Sequence, residues 1–192
     1  VGLSVDWRPG DTVVDAIGTP RSGVRAELRA DDGRSKVPDG EVGELWISSP
    51  AVFDGYLGDA DATTAVLVDG WWRSGDLGVM DNGRVRLAGR SKEMYVRGGY
   101  NVYPAEIENV MGAHPTVAMC AVIGIPDPVF GETGCAFVVP AAGATVDPEE
   151  LRDACRSTLA EYKVPDRVEI VDSLPMTPAG KIRKVELAVP AG

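Results

Sequence analysis

Four short stretches of this sequence set charged or conformationally free residues where a backbone turns tightly. In Trp72-Arg73-Ser74-Gly75-Asp76 a carboxylate follows a Ser-Gly pair. Held by a tight turn, such a carboxylate accepts hydrogen bonds from both hydroxyls of a ribose; the bland alternative is a solvated turn. Fourteen positions on, Gly89-Arg90-Ser91-Lys92-Glu93 offers in Arg90 a planar, always charged, multi-donor group, or simply a surface arginine at a strand end. Gly98-Gly99 lacks Cβ atoms and so approaches another molecule closely or adopts positive φ; a plain hairpin turn is the competing reading. Lys181 closes the loop Pro178-Ala179-Gly180. Such a loop delivers a compact ammonium into a site supplied by another domain and stabilises negative charge developing there. Against this, Lys181, Arg183 and Lys184 form a cluster that also fits a solvated basic tail.

These residues need elements to hold them. Up to about residue 89 the chain reads as short strands punctuated by Gly and Asp turns. Val24 to Leu28 and Gly43 to Ile47 alternate, and Asp81-Asn82-Gly83 predicts a hairpin turn. The pattern predicts a small β-barrel or a piece of one, with one short helix over Asp59 to Leu67 capped by Asp59 or Asp61. After Lys92 the pattern becomes mixed. Met94 to Val96 is strand-like, and Pro104 opens a helix with Ile107, Val110 and Met111 on one face. Val117 to Ile125 and Cys135 to Val139 are apolar runs of well-buried strands, separated by the turn-rich Pro126-Asp127-Pro128. Asp147-Pro148-Glu149-Glu150 announces a helix carrying Leu151, Cys155, Thr158 and Leu159. Arg167 to Val171 reads as a last strand and Ile182 to Leu187 as a terminal helix. The expected fold is α+β: a small β-barrel subdomain over residues 1–90, then a compact C-terminal α+β lid domain over 91–192.

The 192 residues carry 19 Lys and Arg against 29 Asp and Glu, a net charge of -10. That balance argues against wrapping nucleic acid or coating an anionic membrane. No apolar run reaches the length of a membrane span, and no signal-peptide pattern opens the chain. Cys120, Cys135 and Cys155 are odd in number, sit in apolar surroundings and lack metal-ligand spacing. Free thiols in a reducing cytoplasm are expected, a disulfide being the lesser alternative. His114, the sole histidine, lies at a helix end without a ligand partner and reads as a capping or surface residue. Because the chain opens without Met and in mid-pattern, a piece of a longer protein is expected.

In their order and sequence, the four motifs Trp72 to Asp76, Gly89 to Glu93, Gly98-Gly99-Tyr100-Asn101-Val102-Tyr103-Pro104 and Pro178 to Lys181 resemble the C-terminal part of the adenylate-forming superfamily. That superfamily includes acyl-CoA synthetases, luciferases and peptide-synthetase adenylation domains; its phosphate loop and Tyr-Gly-x-Thr-Glu segment would lie upstream. The resemblance implies that Asp76 binds ribose, that Arg90 contacts ribose and phosphate, and that Lys92 is the hinge of a rotating C-terminal domain. It implies further that Gly98, Gly99 and Tyr100 help line a pantetheine channel and that Lys181 is catalytic. Tyr162-Lys163-Val164-Pro165 matches another family segment, with a packing role. The implied parent joins a carboxylic acid to ATP, releases pyrophosphate and transfers the acyl group to CoA, as in fatty-acid metabolism. Mg2+ would accompany ATP, with no metal cage on this chain, and the acid pocket would belong to a missing N-terminal domain, leaving this piece inactive alone. Gly-Gly-Tyr-Asn-Val-Tyr-Pro-Ala-Glu-Ile-Glu looks like acyl- or aryl-CoA ligases. A domain loading a carrier protein, and a non-catalytic nucleotide- or partner-binding module, are the alternatives.

Overall fold

The computed structural model describes residues 3–4 and 16–187. They divide between Lys92 and Glu93 into two compact units; the outer ends of the expected ranges 1–90 and 91–192 fall outside the described residues. The first unit holds β1 (Leu3–Ser4), β2 (Ala16–Pro20), β3 (Arg25–Arg29), β4 (Val42–Ser48), helix α1 (Ala60–Val66), β5 (Leu67–Val68), β6 (Trp71–Asp81) and β7 (Arg84–Arg90). Its strands form one antiparallel sheet in the order β1-β2-β7-β6-β4-β3, with β5 on β6.

Among the described residues β1 and β3, at the two ends of that order, do not pair. A barrel requires its end strands to hydrogen-bond, so the described residues of this unit form an open sheet and not the expected closed barrel. Strand β4 is buried on both faces. Leu45 and Ile47 join Leu28 and Val85 in the core, while Trp46 and Glu44 point the other way. There Arg29 lies over the rings of Trp46 (4.5 Å) and Trp71 (4.6 Å). The Asp81–Arg84 connection is the hairpin turn that Asn-Gly predicts, with φ of 49° at Asn82 and 76° at Gly83. Helix α1 starts at Asp59, whose carboxylate accepts the Ala62 N–H at 2.9 Å.

The second unit holds β8 (Tyr95–Arg97), β9 (Tyr100–Val102), α2 (Pro104–Gly112), β10 (Val117–Asp127), β11 (Gly131–Pro140), α3 (Pro148–Thr158) and β12 (Arg167–Ile170). The sheet runs β10-β11-β8-β9, and β12 joins β11 in parallel. Strand β10 continues through Asp127, so the turn expected at 126–128 falls later, at 128–130, where Asp127 accepts the N–H groups of Val129 and Phe130 at 2.8 Å each. Those two bonds hold its carboxyl below the usual carboxylate range.

Cys135-Ala136-Phe137-Val138 reads as a continuous apolar run because both faces of β11 are covered. Ala136 and Val138 pack with Ile107, Met111, Leu151 and Cys155 from the two helices. Cys135 and Phe137 pack with Leu174, Ile182 and Leu187 from the C-terminal segment. Each large apolar side chain so enclosed contributes about 1.5–3 kcal/mol. Thr158, expected on the buried face of α3, is exposed and its hydroxyl donates to the Ala154 carbonyl at 3.2 Å. The expected helix over 182–187 contracts to a 3-10 turn at Lys184–Glu186. The preceding backbone is already engaged, with Ile182 bridged to Met176 and the Arg183 N–H given to the Pro175 carbonyl at 2.8 Å.

Tyr95 lies across the β10–β11 ladder where two glycines pair, Gly124 with Gly134. A Cβ at Gly124 would stand 2.4 Å from the Tyr95 Cβ, and one at Gly134 would stand 2.4 Å from the Tyr95 hydroxyl and 3.2 Å from the Pro165 Cα. Burial pushes the Tyr95 phenol well above its usual range. Gly134→Ala overpacks this site and is expected to cost about 1–3 kcal/mol. Gly112→Ala, where the nearest neighbour of an added Cβ is 3.9 Å away, should stabilise by about 0.5–1 kcal/mol. Urea unfolding of the two variants should show shifts of opposite sign.

Candidate active site

Asp76 and Arg90 face each other across β6 and β7 as registered partners. The Arg90 Nε donates to Asp76 Oδ1 at 3.1 Å. Asp76 was expected in a turn; it lies inside the eleven-residue strand β6, and a kink takes the turn's place. Gly75 there has φ of 76°, a conformation that favours glycine. Ser74 locks the kink from within, its hydroxyl donating to the Leu45 carbonyl (2.7 Å) and accepting the Asp76 N–H (3.1 Å). From outside, the Gly75 carbonyl accepts the N–H of Ser91 (3.0 Å) and its hydroxyl (3.2 Å). Beside it, Arg73 Nε reaches both oxygens of the buried Glu44 at 2.9 and 2.7 Å. The Trp-Arg-Ser-Gly-Asp motif thus spends Arg73 and Ser74 on holding Asp76 at the surface. The arginine beside it is largely exposed, so its guanidinium can turn to a ligand.

Lys92 is an exposed turn residue and the last of the first unit. Gly98 and Gly99 form the two-residue turn between β8 and β9, with φ of 56° and 86°, the pair of positive values that such hairpins demand. The hairpin reading of these glycines therefore holds for the backbone. Gly98 N–H donates to the Phe130 carbonyl at 2.8 Å. Tyr100, next in the chain, is exposed and stacks on Tyr162 with ring centroids 4.7 Å apart. That contact was not legible beforehand, although Tyr162 lies in a stretch read as packing. The same stretch is anchored by Lys163, whose ammonium meets both oxygens of Glu106 at 2.8 and 2.7 Å.

Lys181 sits on a closed turn. The Thr177 N–H donates to the Lys181 carbonyl (2.7 Å), the Lys181 N–H to the Thr177 hydroxyl (3.0 Å), and Gly180 takes φ of 77°. The loop is thus fixed, while its lysine side chain is exposed. The basic tail is not uniform: Arg183 pairs with Glu186 at 2.6 Å, and Lys184 is drawn inward to Glu93 and Glu108. Asp76 and Arg90 are brought together; the Gly98–Tyr100 turn and Lys181 stand on separate loops of the second unit. His114 Nδ1 bonds the Thr116 hydroxyl at 2.8 Å, closing the turn after α2. The three cysteines are free, and burial pushes each thiol up to about 11. Among the described residues no group of three or more His, Cys, Asp or Glu side chains is gathered to hold a metal, and no helix is long and apolar enough to cross a membrane.

Known proteins share both sequence and fold. The AMP-binding enzyme C-terminal domain matches residues 106–181, and the AMP-binding enzyme family matches residues 1–57. A feruloyl-CoA synthase of an Amycolatopsis species is 50% identical over 79% of this chain and 31% of its own length. A fatty acid–[acyl-carrier-protein] ligase of Streptomyces coeruleorubidus is 43% identical over 93% of this chain and 34% of its own. The solved structure of the amide bond synthetase McbA from Marinactinospora thermotolerans superposes with a TM-score of 0.84 at 45% identity, covering 89% of this chain and 35% of that one. The o-succinylbenzoate CoA synthetase of Bacillus subtilis, solved with its acyl-adenylate intermediate, does so with a TM-score of 0.84 at 31% identity, covering 91% and 36%. The chain belongs to the AMP-binding, adenylate-forming enzymes and carries the C-terminal domain of that family. It spans about a third of the length of the curated relatives it matches.

The geometry separates a side chain bonded into its surroundings, Ser74, from one that projects into solvent, Lys181. Ser74→Ala removes both ends of the kink's internal bonding and should cost about 1–3 kcal/mol. Lys181→Ala should change stability by less than about 0.5 kcal/mol. Denaturant titration of the two variants checks this.

Proposed function

We propose that this chain is the C-terminal portion of an ATP-dependent acid–CoA ligase, which forms an acyl-adenylate and then an acyl-CoA thioester. The observation that carries the reading is the juxtaposition of Asp76 and Arg90 across β6 and β7. It presents an acceptor for ribose hydroxyls beside a donor for ribose and phosphate oxygens.

In the first half-reaction a carboxylate oxygen of the acid attacks the α-phosphorus of ATP, and the bond to the bridging oxygen breaks to release pyrophosphate. Asp76 holds the ribose, Arg90 leaves its carboxylate partner for the nucleotide, and the Lys181 ammonium neutralises charge gathering on the carboxylate and α-phosphate oxygens. In the second, the CoA sulfur attacks the acyl carbon and AMP leaves. Between the two, the domain beginning at Glu93 swings about Lys92 as a mobile lid, withdrawing Lys181 and bringing up the turn of Gly98, Gly99 and Tyr100 to line the pantetheine path. Mg2+ travels with ATP, and no residue of this chain is assigned to it. The N-terminal portion of the enzyme provides the phosphate loop and the acid pocket. The three free thiols of the present chain, Cys120, Cys135 and Cys155, favour a reducing cytoplasm.

A carrier-protein thiol as acceptor is the second reading, favoured by the 43% identity to the acyl-carrier-protein ligase. Offering the complete enzyme CoA and a phosphopantetheinylated carrier protein side by side, with thioester formation as readout, chooses between them; CoA is the expected acceptor.

Lys181→Ala in the complete enzyme should lower ATP–pyrophosphate exchange by on the order of 10²-fold or more. Thioester formation from preformed acyl-adenylate should stay near wild type. Equal loss in both half-reactions would mark the lysine as structural. Lys92→Pro fixes φ near -65° and removes a backbone donor, so it should spare one half-reaction and abolish most of the other. Survival of both would move the pivot away from Lys92.

A further inference from the structure

Lys184 stands three residues beyond Lys181, yet its surroundings are opposite in kind. Its side chain is 16% exposed, and its ammonium is shared between Glu93 Oε2 and Glu108 Oε1, the latter at 2.7 Å. Glu108 is itself fixed, because its Oε1 also accepts the Val122 backbone N–H at 2.7 Å. One ammonium therefore joins three parts of the second unit: the segment that follows the Lys181 turn, helix α2, and Glu93, the residue next to Lys92.

A pair of carboxylates around one half-buried ammonium is a poor source of stability, because taking all three charges from water offsets much of their attraction. Such an arrangement is suited to fixing position. The link from Lys184 back to Lys181 is also taut. The Arg183 N–H is bonded to the Pro175 carbonyl at 2.8 Å, Ile182 is bridged to Met176 and packed in the cluster with Phe137, and the Thr177–Lys181 turn is closed by its own hydrogen bonds.

We propose that Lys184 is a positioning residue for Lys181: clamped by Glu93 and Glu108, it ties the lysine turn to the first residue after the hinge. Lys181 then moves as one body with the segment that leaves Lys92 and arrives at the reacting atoms in a set geometry. This rests on the roles given above to Lys181 and Lys92. Misplacing a reacting group by about 1 Å costs on the order of 10²-fold in rate, so a clamp far from the chemistry is visible in kcat.

The test uses the complete enzyme, with the two half-reactions measured separately. Lys184→Met should lower kcat for ATP–pyrophosphate exchange at least about tenfold, leaving KM for ATP and acid, and thioester formation from preformed acyl-adenylate, within about twofold. Lys184→Arg should restore most of the exchange, since a guanidinium also reaches two carboxylates. Glu93→Gln removes one leg with its shape retained and should give a smaller loss of the same kind, so it decides the matter if Lys184→Met does not fold. Unchanged exchange, or equal loss in both half-reactions without rescue by arginine, overturns the clamp. Lys181→Ala run alongside separates the two ideas: loss there without loss at Lys184 overturns the clamp alone, whereas silence at Lys181 overturns the functional reading and the clamp with it.

Discussion

The second unit depends on strand β11 being covered on both faces. Ala136 and Val138 take one side with the helices, Cys135 and Phe137 the other with the C-terminal segment. Side chains alternate along a strand, so a slip of one residue would exchange the two sets and leave neither cover seated. That constraint fixes more than a core. The residues flanking the Lys181 turn, Ile182 and Leu187, belong to the second cover, so the turn is held where packing places its base. An exposed lysine on a well-anchored turn has only its side-chain freedom left to lose on any engagement, because the backbone beneath it is already ordered.

The first unit solves a different problem: how to hold a carboxylate at the surface of a long strand. Gly75 bends β6, Ser74 and Ser91 bond the bend from both sides, and Arg73 is bound to Glu44. Arg90 comes to Asp76 through strand pairing alone. The pair is thus positioned by strand pairing and by the hydroxyls of Ser74 and Ser91, so that among the described residues the two side chains are bonded only to each other, by the contact at 3.1 Å.

Much of this was legible in the residues because the signals are local. Asn82-Gly83 makes its hairpin, Asp59 and Asp147 cap their helices, and the pairs Ile107 with Met111 and Leu151 with Cys155 face inward. What escaped depends on distant partners. Whether a sheet closes is decided by its end strands, and no local pattern along β1 or β3 encodes that. The kink at Gly75 reads as a turn until the pairing of β6 with β4 and β7 is known. Lys184 looks like its neighbours in the basic tail, since its carboxylates lie 91 and 76 positions upstream. Lys181 and the glycine turn were legible as motifs. Their places on separate loops were not.

The bond from the Val122 N–H to Glu108 has a consequence for solubility. Strand β10 is the outermost in its sheet, and its run from Val117 to Ile125 is apolar and free of charge, the composition that recruits strands from other molecules. A carboxylate bonded to one of its amides, with an ammonium against that carboxylate, sets charge on an edge that would otherwise template intermolecular pairing. In the folded domain a charge so placed opposes edge-to-edge pairing between copies.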